Sequence, residues 1–157
     1  MIAAVDTSPI IALSAVGELA VLDQLFDELL VPVQVRAELR LKPPAPELVA
    51  LRALHGLVFV ALRRPPQPET AVLHRGERAV ISLAVRRQAV ALLDDGPERK
   101  IAARMGLKVI GTLGVLLEAR RRGHIDRLAP KLHTLRARGF RLSDVHIAAA
   151  LQAAGEG

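Results

Sequence analysis

Apolar positions along the chain fall into two kinds of run that alternate. Short runs rich in small and β-branched residues occupy "IAAV" (2–5), "LLVP" (29–32), "LVFVAL" (57–62), "AVALL" (89–93) and "LKVI" (107–110). None shows the in–out alternation of a sheet with one wetted face, so they predict buried parallel strands. Between them apolar residues recur at helical spacing, which predicts helices over about 8–14, 18–28, 33–41, 47–55, 76–88, 97–105 and 111–122. Ser8 is placed as the N-cap of the first, with Pro9 at the first helical position. Two more helices, near 126–138 and 143–154, hinge at Gly139. Strand and helix alternating in this way predict an α/β fold, a three-layer α/β/α sandwich with a mostly parallel central sheet. "KPPAP" (42–46) and "RRPPQP" (63–68) read as loops within a single domain spanning 1–157, because neither flank is long enough to form a core alone. The C-terminal helices, about 126–154, are expected to pack on that domain.

Composition narrows the chemistry. The chain has 157 residues, 51% of them hydrophobic, enough for one ordinary core and too apolar for disorder. No apolar run is long enough to cross a bilayer and no basic segment precedes a long apolar one, so a soluble, cytoplasmic protein without membrane association is expected. Cysteine is absent, which removes thiolate nucleophiles and Cys-based zinc sites; any metal must use oxygen or imidazole. Lys and Arg number 22 against 16 Asp and Glu, a net charge of +6. That surplus either reflects an Arg-rich composition or marks a polyanionic partner. With three Phe and no Trp or Tyr, a nucleic acid would be held mainly through its phosphates.

Carboxylates collect where strands end, and in open parallel sheets that edge carries the ligand crevice. Asp6 follows the first strand, Asp94 and Asp95 follow "AVALL", and Glu77 in "HRGERAVISLA" opens a helix near the same edge. Glu38 lies about two turns into the helix after the second strand, a depth of roughly 9 Å. Several carboxylates in a half-buried crevice either rise in pKa or take up a cation, and an oxygen-only set favours Mg²⁺ or Mn²⁺. Such an ion suits phosphodiester hydrolysis. A plainer reading makes Asp6 and Asp95 helix caps, Glu77 a helix-dipole partner and Glu38 a surface residue paired with Arg36 or Lys42. Asp23, Asp27, Glu28, Glu47, Glu98, Glu118 and Asp126 lack a strand-end setting and read as solvated charges.

The stretches "VDTSPIIAL", "VPVQVRAEL", "RGERAVISLA", "LLDDGPERKIA" and "GTLGVLLEARRRGHI" resemble the motifs of the PIN-domain ribonuclease superfamily, nearest to the branch similar to VapC-type toxins of toxin–antitoxin modules. The resemblance covers nearly the whole chain. It implies a PIN-like sandwich, Mg²⁺- or Mn²⁺-dependent endonuclease cleavage of RNA, and a homodimer opposed by a small antitoxin protein. It also implies catalytic roles for Asp6, Glu38, Glu77 and Asp95, with Asp6, Glu77, Asp95 and Asp94 as the metal-site candidates. Asp95 is preferred over Asp94, which is assigned to a turn or to capping the helix that begins near Pro97. Ser8 and Thr112 stand where the family often has a hydroxyl near the site. Asp144 is read as a helix-start charge outside the site. Among the basic residues, Arg63, Arg64, Arg86, Arg87, Arg120 and Arg121 are candidates for phosphate contacts rimming an acidic floor.

Other classes compete. "IDRLAPKLHTLRARGFRLSDVHIAAAL" has a helix, a glycine turn and a helix, so a DNA-binding regulator is one alternative; yet the second helix offers almost no side chain that reads bases. "VIGTLG" after a strand resembles a phosphate-binding turn, but it lacks the Gly pattern of a dinucleotide fold and the lysine of a P-loop. A catalytically silent interaction protein is the third.

Overall fold

The computed structural model describes residues 1–64 and 66–157; the expected loop 63–68 therefore includes Pro65, which lies outside the described residues. Five strands form one sheet: β1 (Ile2–Val5), β2 (Glu28–Pro32), β3 (Leu57–Val60), β4 (Val90–Leu92) and β5 (Val109–Ile110). Their order is β3-β2-β1-β4-β5, and every pairing among the described residues is parallel. The helices are α1 (Thr7–Ala15), α2 (Val21–Leu25), α3 (Val33–Arg40), α4 (Pro46–Arg52), α5 (Arg75–Arg87), α6 (Gly96–Arg104), α7 (Thr112–Arg121), α8 (Ala129–Ala137) and α9 (Asp144–Ala153). A short 3₁₀ turn, Pro68–Thr70, interrupts what the sequence presents as plain loop.

The chain winds from β1 outward to β2 and β3, then crosses back to β4 and β5. Right-handed crossovers would set the β1–β2 and β2–β3 connections on one face of the sheet and the β3–β4 and β4–β5 connections on the other, and α3, leaving the carboxyl end of β2, touches both α1 and α5. α5 packs across β1, β2 and β4, and α7 returns to pack against α1 and α2. The central strands carry the core: Ala3, Ala4, Val5, Ala91, Leu92 and Leu93 are each at most 1% exposed. Buried on both faces, they have no use for alternation, as their sequences show.

Two local expectations change. The helix expected over 18–28 is shorter, because Phe26 is extended (φ −129°, ψ 143°) and buried, and Glu28 already pairs with Ile2 in the sheet. Helix α1 starts two residues earlier than expected, with Asp6 rather than Ser8 at the N-cap and Thr7 rather than Pro9 as its first residue. At the other end Gly139 adopts φ 87°, a left-handed conformation that closes α8 and turns the chain towards α9. No helix among the described residues is long and apolar enough to cross a membrane.

The strand order reverses between β1 and β4, so the connections leaving these two strands depart on opposite faces and open a crevice at their carboxyl ends. The pairing runs into that crevice, because the Asp6 amide donates to the Leu92 carbonyl at 3.2 Å.

Candidate active site

Asp6 is the first residue beyond β1 and is 4% exposed. Its position follows from the chain path: a strand buried on both faces delivers whatever comes next into the crevice, and here that is a carboxylate. Two glutamates meet it, and both arrive by one local device. Glu77 is the third residue of α5, and its Oε2 accepts from the amide of His74, the N-cap, at 3.2 Å. Glu98 is the third residue of α6, and its Oε1 accepts from the amide of Asp95, again the N-cap, at 3.3 Å. A glutamate folded back on its own helix start is half of a capping box, which fixes the side chain along the helix end. Ligand oxygens of Asp6, Glu77 and Glu98 lie within 4.8 Å of one another.

Glu98 is 1% exposed, and its Oε2 is buried with no hydrogen-bond partner. Burial pushes the Asp6 carboxyl up to about 7, a rise moderated by a backbone hydrogen bond from Thr7 and reinforced by Glu38, Glu77 and Asp95. Burial likewise drives Glu98 up to about 9, with the charges of Asp6 and Glu77 and a side-chain hydrogen bond shared with Glu77 adding to the rise. Carboxyls this close in a buried setting either hold protons, as the raised values of Asp6 and Glu98 indicate, or give them up to a cation. The donor set fits a hard divalent cation: carboxylate oxygens alone, convergent, and held by helix-end hydrogen bonds.

The DUF3368 family model, described as a PIN domain, matches residues 2–156. The chain belongs to the PIN-domain family. Among solved structures, a PilT N-terminus domain protein, SSO1118, from the hyperthermophilic archaeon Sulfolobus solfataricus P2 is similar in fold; the match has a TM-score of 0.57 at 14% identity and covers 76% of this chain and 93% of that one. No curated protein matches. PIN-domain membership points to a nuclease, and the acidic trio is compatible with the divalent metal that such domains typically use.

Glu38 stands at the margin of this PIN-domain site. It is exposed, its Oε2 accepts from the Thr7 hydroxyl at 2.5 Å, and it packs against Gly76, where an added Cβ would collide with its carboxylate. The hydroxyl that reaches the acids is thus that of Thr7, whereas Ser8 lies half-buried in the first turn of α1.

The adjacent aspartates after β4 separate. Both Asp94 oxygens are occupied by the start of α7, accepting from the Thr112 amide and hydroxyl at 2.7 Å each. Asp94 therefore stands outside the trio, and the helix it caps is α7. The helix beginning near Pro97 is instead headed by Asp95, which is exposed and close enough to raise Asp6. Thr112 is buried in this cap. Asp94→Asn is accordingly expected to cost stability, about 0.5–2 kcal/mol as for a lost cap, while keeping the Mn²⁺-induced rise in melting temperature. Asp95→Asn should do the reverse, since Asn still caps but no longer adds charge beside Asp6. Paired thermal melts with and without Mn²⁺ check this, and a metal response lost only in Asp94→Asn would return Asp94 to the ligand set.

The arginines expected to rim the acidic floor lie elsewhere. Helix α5 begins at the site and runs 13 residues away from it, so Arg86 and Arg87 sit at its far end. There Arg87 pairs with Glu28 at the start of β2 (3.4 Å), and Arg86 donates to the carbonyl of Arg64 (3.2 Å), beside the exposed Arg63. Arg120 faces Glu156 at 3.4 Å in the last turn of α7, next to Arg121, again distant from the helix start at the site. The basic side chains lining the cleft are Arg99 and Arg141, with His74 and His146. Glu98, read from the sequence as a solvated charge, proves to be among the most buried carboxyls of the PIN domain. The signal was present: "DGPE" (95–98) repeats the N-cap-to-glutamate spacing of "HRGE" (74–77) that placed Glu77 at a helix start.

Proposed function

We propose that this PIN domain is a metal-dependent endoribonuclease that hydrolyses RNA phosphodiester bonds as the toxin of a toxin–antitoxin module. In this reading it is a cytoplasmic homodimer opposed by a small antitoxin protein. The observation that carries the nuclease reading is the convergent Asp6–Glu77–Glu98 trio, with Asp6 and Glu98 buried and Glu77 half-buried, set at the sheet's switch point. RNA as substrate and the toxin role are supported by the resemblance of the motifs to VapC-type toxins and by the +6 net charge, which favours a polyanion.

Asp6, Glu77 and Glu98 would hold Mg²⁺ or Mn²⁺. When bound, such an ion neutralises charge on the scissile phosphate and lowers the pKa of a water. The surrounding residues do the rest. Capping bonds to the amides of His74 and Asp95 hold Glu77 and Glu98 in place before substrate arrives. Burial of Asp6 and Glu98 excludes competing water from the floor. Glu38, oriented by Thr7 at the solvent margin, is placed to take the proton released as a water attacks.

Incubation of the purified protein with a mixed RNA pool should give discrete fragments with Mn²⁺ and none with chelator. A wild-type protein that leaves RNA intact at saturating Mn²⁺ would overturn the reading, and one that cuts only DNA would replace the substrate.

A further inference from the structure

The cleft beside the trio has a volume of about 1230 Å³. Small-molecule sites typically hold about 300–1,000 Å³, so this one has room for more than a single mononucleotide. One of its walls is the turn between α8 and α9, which presents Phe140 and Arg141 to the cleft. The chain contains only three Phe and neither Trp nor Tyr. Phe26 is buried in the core, and Phe59 lies on β3 beneath the Arg36 guanidinium, 5.0 Å from its ring centre. Phe140 is the ring that reaches the cleft, half-buried and flanked by the exposed Arg141.

That turn is held firmly. Gly139 supplies the left-handed turn, and the Phe140 amide donates to the Leu135 carbonyl at 3.1 Å. Arg136 then spans the turn, donating to the Leu142 carbonyl at 3.0 Å and pairing with Asp144 at 2.5 Å. A ring fixed before binding loses little conformational freedom on meeting a flat partner. A base paired within a duplex has both faces covered by its neighbours, so only an unpaired base has a face free to stack on a side chain.

We propose that Phe140 and Arg141 form a nucleotide subsite of this cleft: an unpaired base of the substrate strand stacks on Phe140, and its phosphate meets Arg141. The assignment rests on the RNA-cleaving reading and makes the preferred substrate a single-stranded or looped segment. It also adds a base contact to the expectation that nucleic acid is held mainly through its phosphates, because one of the few rings is spent at the site.

The absence of Trp and Tyr supplies a clean probe. Phe140→Trp introduces a lone tryptophan, here carried in the Asp6→Asn background so that the strand is not consumed. Titration with a single-stranded RNA should quench its emission in step with binding followed independently by anisotropy of the labelled strand. An abasic ribose–phosphate strand should bind without quenching, and a blunt duplex should not quench. Phe140→Leu, which keeps apolar bulk and should melt near the parent protein, is expected to weaken single-strand binding about 5- to 100-fold, whereas Phe140→Trp should not. Emission that stays constant while anisotropy reports bound RNA, or parental affinity in Phe140→Leu, overturns the subsite. Failure of the Phe140 protein itself to bind any RNA overturns the RNA reading and the subsite together.

Discussion

Asp6→Asn is expected to reduce Mn²⁺-dependent RNA cleavage by at least about 100-fold, a loss that removal of an outer-shell partner alone can reach at a metal site, while the metal-free protein melts higher than wild type. The two effects share one cause. Asp6 is buried at the end of β1 against Glu38, Glu77 and Asp95, so without a cation its charge is a liability that burial has already raised to a pKa of about 7. Asparagine removes the charge, keeps the shape and is itself a good N-cap for α1. A gain of about 1 kcal/mol would appear as roughly 2–4 °C in Tm for a domain of this size. Cleavage assays and melts on the same preparation decide the matter. An Asp6→Asn protein that cuts at the wild-type rate would remove the trio from the mechanism.

The second large effect is on pH. Carboxyls in an unfolded chain titrate near 4, whereas Asp6 and Glu98 in the folded protein are pushed up to about 7 and about 9. Between those limits the native state binds more protons than the unfolded one, so metal-free stability is greatest on the acid side. It falls as pH rises through the window and stops falling above about 9. Metal reverses the trend, because binding displaces the protons, and the Mn²⁺-induced rise in Tm should grow from pH 5 to 9. Glu98→Gln retains an acceptor for the Asp95 amide but carries no charge, so it should flatten the upper part of the metal-free decline and blunt the metal response. Melts across this range, with and without Mn²⁺, read both outcomes. A wild-type-like slope in Glu98→Gln would show that Glu98 does not ionise in the window.

Strand positions were legible because the inner strands β1, β2 and β4 are buried on both faces and so appear as uninterrupted apolar runs, while the outer strands β3 and β5 keep apolar runs although they are only partly buried. Asp6 was legible for the same reason, as the first polar residue after such a run. Glu98 was not, because the two aspartates of "LLDDG" stand nearer the strand end, whereas Glu98 is delivered three residues into α6, as Glu77 is into α5. The helix before β2 was drawn too long because apolar periodicity continues through Phe26. The neighbouring Asp27 amide already pairs with the Met1 carbonyl just ahead of β1 and β2, a long-range competitor invisible to local spacing. Doublets such as Arg86–Arg87 reveal a helix terminus without saying which end of the sheet it faces, and these two stand in the last turn of α5. Thr7 and Ser8 are adjacent hydroxyls, and only the start of α1 two residues earlier separates their roles.

The two halves of the cleft hang on backbone of very different kinds. The acids issue from the innermost strands and from helix starts that those strands position, so changing β1 or β4 changes the core as well. The Phe140 wall hangs on a surface turn secured largely by one arginine, Arg136. Insertions or substitutions over 138–143 can therefore redraw what the cleft admits without touching the acids. In descendants of such a chain the chemistry is inherited with the fold itself, and the choice of target is the trait free to drift.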